Sequence, residues 1–233
     1  MTEVGQAMQA VHTSKWEARI TREPQAAVDR VRIVECNDPM VELSREYPGL
    51  RLRSRPQWLR RMVADMLVQA QSRLPEGIRF EIIWGYRPLV QQERLYWGVY
   101  DRLRREHPEW PKNILRRQTN RYVAPPDAKA PPGHATGGAV DLALITDDGE
   151  RLDMTSPYKW GDMEALATDA EGLSPQARAN RRIMIEALCS VGFSNCAAEF
   201  WHWSYGDSAW AVRTGRDTAI FGAAHVPDFV PPE

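Results

Sequence analysis

Trp58, Leu59, Met62, Val63, Met66, Leu67 and Ala70 recur at the three- and four-residue spacing that lays one apolar stripe along a helix. The spacing predicts a helix over residues 55–74, opened by Ser54 and stopped by Pro75-Glu76-Gly77. Residues 79–84 then switch to a β-branched and aromatic run, a strand that Gly85-Tyr86-Arg87-Pro88 breaks. A second helix is expected over 89–106. Pro108, Pro111, Pro125, Pro126, Pro131 and Pro132 forbid long regular elements in the next stretch, which reads as loops around one short helix. Residues 139–145 form a further strand. Ser174 and Pro175 open a helix that Gly192 closes after Val191, and residues 198–205 read as an aromatic strand. Shorter strands are expected at 31–35 and 40–43, around an Asn37-Asp38-Pro39 turn. The order predicts one α+β domain over residues 31–233, with a mainly antiparallel central sheet and flanking helices. Residues 1–30 carry little periodicity and read as a partly ordered N-terminal arm.

Composition narrows the class of protein without naming a function. With 233 residues, 43% of them hydrophobic and 26% charged, the chain can bury one sizeable core, which excludes wholesale disorder and a disulfide-dense miniprotein. Thirty basic and thirty-one acidic side chains leave a formal charge of −1, so neither nucleic acid nor an anionic membrane is an expected partner. Mean hydropathy is −0.51, and no apolar run approaches the ~20 residues of a transmembrane helix. The first residues mix charges and lack the apolar centre of a secretory signal; with only three cysteines, this predicts reduced thiols and a cytoplasmic protein. Cys189 and Cys196 read as core or half-buried thiols, and Lys112, Arg116, Arg117 and Arg121 as a solvated helix face.

The chemistry lies in two motifs. Among five histidines, His134 sits in Gly133-His134-Ala135-Thr136-Gly137-Gly138-Ala139-Val140-Asp141, and His202 in Glu199-Phe200-Trp201-His202-Trp203. Together they offer two imidazoles, one carboxylate as a third ligand and one carboxylate to spare, the inventory of a catalytic zinc site. Seven residues of straight strand would part His134 from Asp141 by roughly 23 Å, too far to share an ion. The chain must therefore fold back at Gly137-Gly138, leaving Asp141 on the following strand with Leu142 and Leu144 turned into the core. Glu199 and His202 are three apart and would point to opposite faces of a regular strand, so an irregular start is expected there. Trp201 and Trp203 would pack on the other face and hold His202 rigid. The sequence has no H-E-x-x-H helix, phosphate loop, G-x-S-x-G elbow or C-x-x-C pair.

The pattern H-x-T-G-x-A-x-D followed by E-x-W-H, with G-Y-R-P upstream, resembles the D-alanyl-D-alanine dipeptidase (VanX-like) branch of the zinc DD-peptidases. Residues 35–43 and Asn180-Arg181-Arg182 extend the likeness, which covers about residues 31–222. The resemblance implies a hedgehog/DD-peptidase-like fold and one zinc ion held by His134, Asp141 and His202. It also implies Glu199 as catalytic base, Arg87 as the cation that stabilises the transition state, and a small peptide as substrate. Tyr86, Trp84, Tyr158 and Asp162 are the implied substrate contacts. The departures cluster among such contacts: Trp84 stands where the family often has an acid, Pro132 where it often has serine, and the segment from Asp153 lacks the family's closing acid, for which Asp162 is the candidate replacement.

Three functions follow in order of expectation. The first is a cytoplasmic zinc dipeptidase acting on D-Ala-D-Ala or a similar small dipeptide. The second is a DD-carboxypeptidase or endopeptidase acting on muramyl or longer peptides. The third is a non-catalytic zinc-binding module on the same fold.

Overall fold

A computed structural model describes residues 19–159 and 162–231. The chain runs through β1 (Ile20–Thr21), α1 (Gln25–Val28), β2 (Arg32–Ile33), β3 (Met40–Glu42), α2 (Leu43–Glu46) and β4 (Arg51–Leu52) to β5 (Trp58–Arg60) and α3 (Arg61–Gln71). Next come β6 (Ile78–Trp84), α4 (Leu89–Glu106), α5 (Lys112–Thr119), α6 (Gly133–Thr136) and β7 (Ala139–Thr146). α7 (Pro175–Val191), β8 (Ser194–Cys196), β9 (His202–Ser204), α8 (Ser208–Arg213) and β10 (Thr218–Ala219) follow.

The central sheet has six strands in the order β1-β8-β9-β7-β6-β4. Its inner pairs are antiparallel, and only the outermost strands β1 and β4 join in parallel. The class is α+β with a mainly antiparallel sheet. One face carries Phe80, Ile82, Val140, Leu142, Leu144 and Trp203, all essentially inaccessible, and forms one core with Val63, Leu67 and Ala70 of α3 and Met184 and Leu188 of α7. Each such aliphatic side chain contributes roughly 1.5–3 kcal/mol by leaving water. Among the described residues no helix is long and apolar enough to cross a membrane.

The helices whose ends are written locally appear where expected. α7 begins at Pro175 with the Ser174 hydroxyl accepting the Ala177 N–H at 3.0 Å, and ends on Gly192 in the left-handed region. Ser174→Ala should cost about 1 kcal/mol, read as a lower urea midpoint at unchanged m-value. The helix expected over 55–74 is corrected: Trp58–Arg60 is a strand paired with Met40–Glu42, and α3 starts only at Arg61. Ser54 does not cap it. Its first donors are met from a distant loop, Arg61 N–H by the Pro39 carbonyl (2.9 Å) and Met62 N–H by the Asp38 carboxylate (2.8 Å). The aromatic strand expected from residue 198 begins at His202, after a turn.

Residues 1–18 of the expected N-terminal arm lie outside the described residues; residues 19–30 are built into the fold. Ile20–Thr21 pair with Asn195–Cys196, and Glu23 meets the buried Arg213 guanidinium in a two-bond ion pair at 2.7 and 2.9 Å. Burial raises the Cys189 thiol to about 12 and the Cys196 thiol to about 11, so neither is poised as a thiolate.

Candidate metal centre and active site

Strand pairing puts three side chains in a row across the sheet. Asp141 on β7 lies directly opposite His202 on β9 and, on its other side, opposite Trp84 on β6. Directly opposed residues share a face, here the face turned away from the core occupied by Val140, Leu142 and Trp203. Trp84 reaches it because the β6 register shifts between Ile82 and Trp84; Ile82 still faces Leu142, and the irregularity re-aims Trp84 towards Asp141.

His134 arrives by a different route. α6 is one turn long and ends at Gly137 with φ of 72°, and the chain doubles back into β7. Gly137 is required by its left-handed backbone, whereas a side chain at Gly138 would come within 2.5 Å of the Tyr205 carbonyl, so that glycine is required by space. The result is that His134 Nε2 lies 3.3 Å and His202 Nδ1 3.0 Å from the same Asp141 Oδ1. The two rings are 4.9 Å apart at 68°. His134, Asp141 and His202 each offer one ligand atom within 4.8 Å of the others, the only such trio of His, Cys, Asp or Glu among the described residues.

The donor chemistry fits a cation. His134 Nδ1 donates to the Gly85 carbonyl at 2.7 Å, which places the proton of the neutral ring there and turns the Nε2 lone pair towards the Asp141 carboxylate. Burial drives the His134 pKa down more strongly than Asp141 raises it, favouring that neutral ring. A lone pair facing a carboxylate oxygen calls for a positive charge between them. Two donors on a tetrahedral ion lie roughly 3.4 Å apart at zinc–ligand distances near 2.1 Å, close to the 3.3 and 3.0 Å that separate the imidazole nitrogens from Asp141 Oδ1.

The rest of the electrostatics follows from burial against attraction. Burial raises the Asp141 pKa, but the two imidazoles outweigh it and hold the carboxyl well below the usual carboxylate range. Burial lowers the His202 pKa, yet its hydrogen bond to Asp141 wins and the value rises. Glu199 sits in the turn before β9, its carbonyl accepting the His202 N–H at 3.0 Å. Burial raises its pKa; His202 and Arg87 pull the other way, and Asp141 adds to the rise. Arg87 is pushed down by burial and supported by Asp141 and Glu199. The five sequence-nominated groups thus share one electrostatic neighbourhood.

Arg87 is held on three sides. Its backbone N–H donates to the His134 carbonyl (3.1 Å), its Nη1 to Gln92 Oε1 (2.9 Å), and its guanidinium lies 5.2 Å from the centre of the Trp84 ring. The Nε of Arg87 and Nε1 of Trp84 are buried with no protein acceptor among the described residues. Gln92 was not nominated from the sequence. The clue available was a glutamine on the buried stripe of α4, with Tyr96 and Leu103. Other expected contacts are engaged elsewhere. The Tyr86 hydroxyl donates to the Ala224 carbonyl, the Tyr158 hydroxyl to the Glu171 carbonyl, and the Asp162 carboxylate accepts the Lys159 N–H; none of these bonds reaches the cluster.

A His–Asp–His trio, with His134 buried and Asp141 and His202 partly so, flanked by a carboxylate and a guanidinium, is a donor set suited to metal-dependent hydrolysis. Residues 59–219 match the model of the Peptidase_M15 family, described as D-ala-D-ala dipeptidase, and the chain belongs to that family; it is a metallopeptidase. A D-alanyl-D-alanine dipeptidase from Synechocystis sp. is 27% identical, covering 74% of this chain and 77% of that protein. Among solved structures, the vancomycin resistance D,D-pentapeptidase VanY in complex with Zn(II) is 14% identical with a TM-score of 0.44, covering 82% of this chain and 95% of its own. The LdcB LD-carboxypeptidase is 16% identical with a TM-score of 0.44, over 80% of this chain and 81% of its own.

Proposed function

We propose that the chain is a zinc-dependent dipeptidase that hydrolyses D-Ala-D-Ala or a similar small dipeptide. His134, Asp141 and His202 would hold one zinc ion, with Glu199 as general base. The observation that carries this reading is the meeting of two imidazole nitrogens at one carboxylate oxygen, with Glu199 beside them and not needed as a ligand. Bound there, zinc would polarise the scissile carbonyl and acidify a water molecule. Glu199, its basicity raised by burial, would accept a proton from water and pass it to the leaving amine. Arg87 presents its unpartnered Nε–H to the oxygen that becomes negative, while Gln92 and Trp84 hold the guanidinium in place. Arg87→Ala should therefore lower kcat by about 10²-fold with the metal content of the wild type, checked by initial rates and metal analysis on the same sample.

One observation favours a second reading, a DD-carboxypeptidase on longer peptides. The position beside Asp141 on the site face holds Trp84 and not a carboxylate, and the carboxylates that support the Arg87 charge are Asp141 and Glu199. A free substrate ammonium gains nothing from an indole N–H. Turnover of D-Ala-D-Ala beside that of its N-acylated analogue separates the two. Zinc-dependent release of D-alanine from the free dipeptide, with the acylated one inert, supports the dipeptidase; the reverse pattern overturns it.

A further inference from the structure

We propose that Asn195 is the positioning residue that fixes Glu199 and His202 relative to one another. The inference rests on the metal centre proposed above. Asn195 lies on β8, has no accessible surface, and is a polar side chain at the edge of an apolar core. Its Nδ2 donates to the His202 carbonyl at 2.8 Å and the Glu199 carbonyl at 3.1 Å, with the Phe200 carbonyl at 3.4 Å. One amide therefore grips the backbone of the proposed base, the proposed ligand and the residue after the base.

Of the two residues, only Glu199 lies outside the sheet ladder; His202 opens β9 and pairs with Asp141. Glu199 falls in the turn between β8 and β9, where no ladder bond fixes it against the strand that carries His202. The amide is itself oriented: its Oδ1 accepts the hydroxyl proton of the buried Thr168, whose backbone N–H donates to the Ala197 carbonyl at 3.0 Å. Arg181, buried in α7, donates to the Thr168 and Ala167 carbonyls and lies 4.1 Å from the centre of the Phe200 ring. The chain of contact runs from α7 through Thr168 and Asn195 to the turn.

The turn would not fall apart without the amide. The Glu199 carbonyl also accepts the His202 N–H (3.0 Å), and the Phe200 carbonyl the Trp203 indole N–H (3.1 Å). Loss of Asn195 should thus loosen geometry more than it unfolds the protein, which is what separates positioning from structural support.

The test compares Asn195→Ala, Thr168→Val, their double variant and the core control Leu188→Val. It measures zinc affinity by chelator competition, the visible spectrum of the Co(II)-substituted protein, thermal unfolding and peptide hydrolysis. Asn195→Ala should weaken zinc binding and lower kcat by about 10- to 100-fold each, as for outer-shell partners of metal sites, shift the Co(II) bands, and leave KM within about twofold if the substrate contacts are untouched. Thr168→Val should change the same readouts in the same direction by less, and add nothing on the Asn195→Ala background. Because Thr168→Val removes only a hydroxyl, it carries the test if Asn195→Ala does not fold. Variants with wild-type Co(II) spectra and zinc affinity, or with changes no larger than those of Leu188→Val, overturn the role of Asn195. A wild-type chain that binds neither ion overturns the metal centre itself, whereas one that binds both but leaves D-Ala-D-Ala intact overturns only the proposed substrate.

Discussion

Glu199→Gln should slow peptide hydrolysis on the order of 10²- to 10⁴-fold, the usual contribution of a positioned general base, while one zinc ion per chain stays bound. Glutamine keeps the volume and the hydrogen-bonding shape of the side chain but cannot take a proton from water. Since Glu199 is assigned no place among the three ligand atoms, its loss should not release the ion. Folding should not suffer either. Burial and the neighbouring Asp141 both disfavour the Glu199 charge, so a neutral side chain relieves a cost in the metal-free protein. Rates of D-alanine release, metal analysis and a thermal melt on one preparation test all three parts. A variant that retains wild-type turnover removes Glu199 from the mechanism.

Asp141→Asn should fail earlier, at the metal. The carboxylate is the common partner of both imidazoles and is kept ionised by them far below its ordinary range. An amide in its place fills the same space with no charge, leaving two neutral imidazoles to hold a dication. Zinc content should drop to background and hydrolysis with it, in a chain whose circular dichroism is unchanged. Added zinc at high concentration should restore little activity, in contrast to Glu199→Gln, which is expected to be metal-replete and slow. Wild-type zinc stoichiometry in Asp141→Asn would remove Asp141 from the ligand set. The pair of variants therefore separates holding the ion from moving the proton.

The residues of the site were legible because their chemistry is rare in this chain. Two of five histidines fall in the motifs, and Gly137-Gly138 between His134 and Asp141 demands a reversal that the structure contains. Gln92 and Asn195 were not legible. An amide gains meaning only from its partners, which here are the Arg87 guanidinium and the carbonyls of a neighbouring turn. Trp84 was named as a departure from the family pattern, but its place under Arg87 depends on the irregularity in β6, and nothing in the residue run 79–84 marks where the register shifts.

By itself the sequence determined the elements whose ends are settled within a few residues. α4 runs from the residue after Pro88 to Glu106, and α7 runs from Pro175, beside its serine cap, to Val191, before Gly192, because those limits depend on neighbouring dihedrals and donors alone. It also determined which groups could meet a metal. Only tertiary structure decided that Trp58 and Leu59 belong to a strand: their spacing suits a helix, but Leu59 is paired with Val41, and Asp38, twenty-four residues before Met62, supplies the acceptor that starts α3. Tertiary structure also decided the meeting of His134, Asp141 and His202, since strands far apart in the chain are brought into register by burying Leu142, Leu144 and Trp203 on the opposite face. Local rules govern bonds between near neighbours; partners drawn from distant segments are chosen by the packing of the whole core.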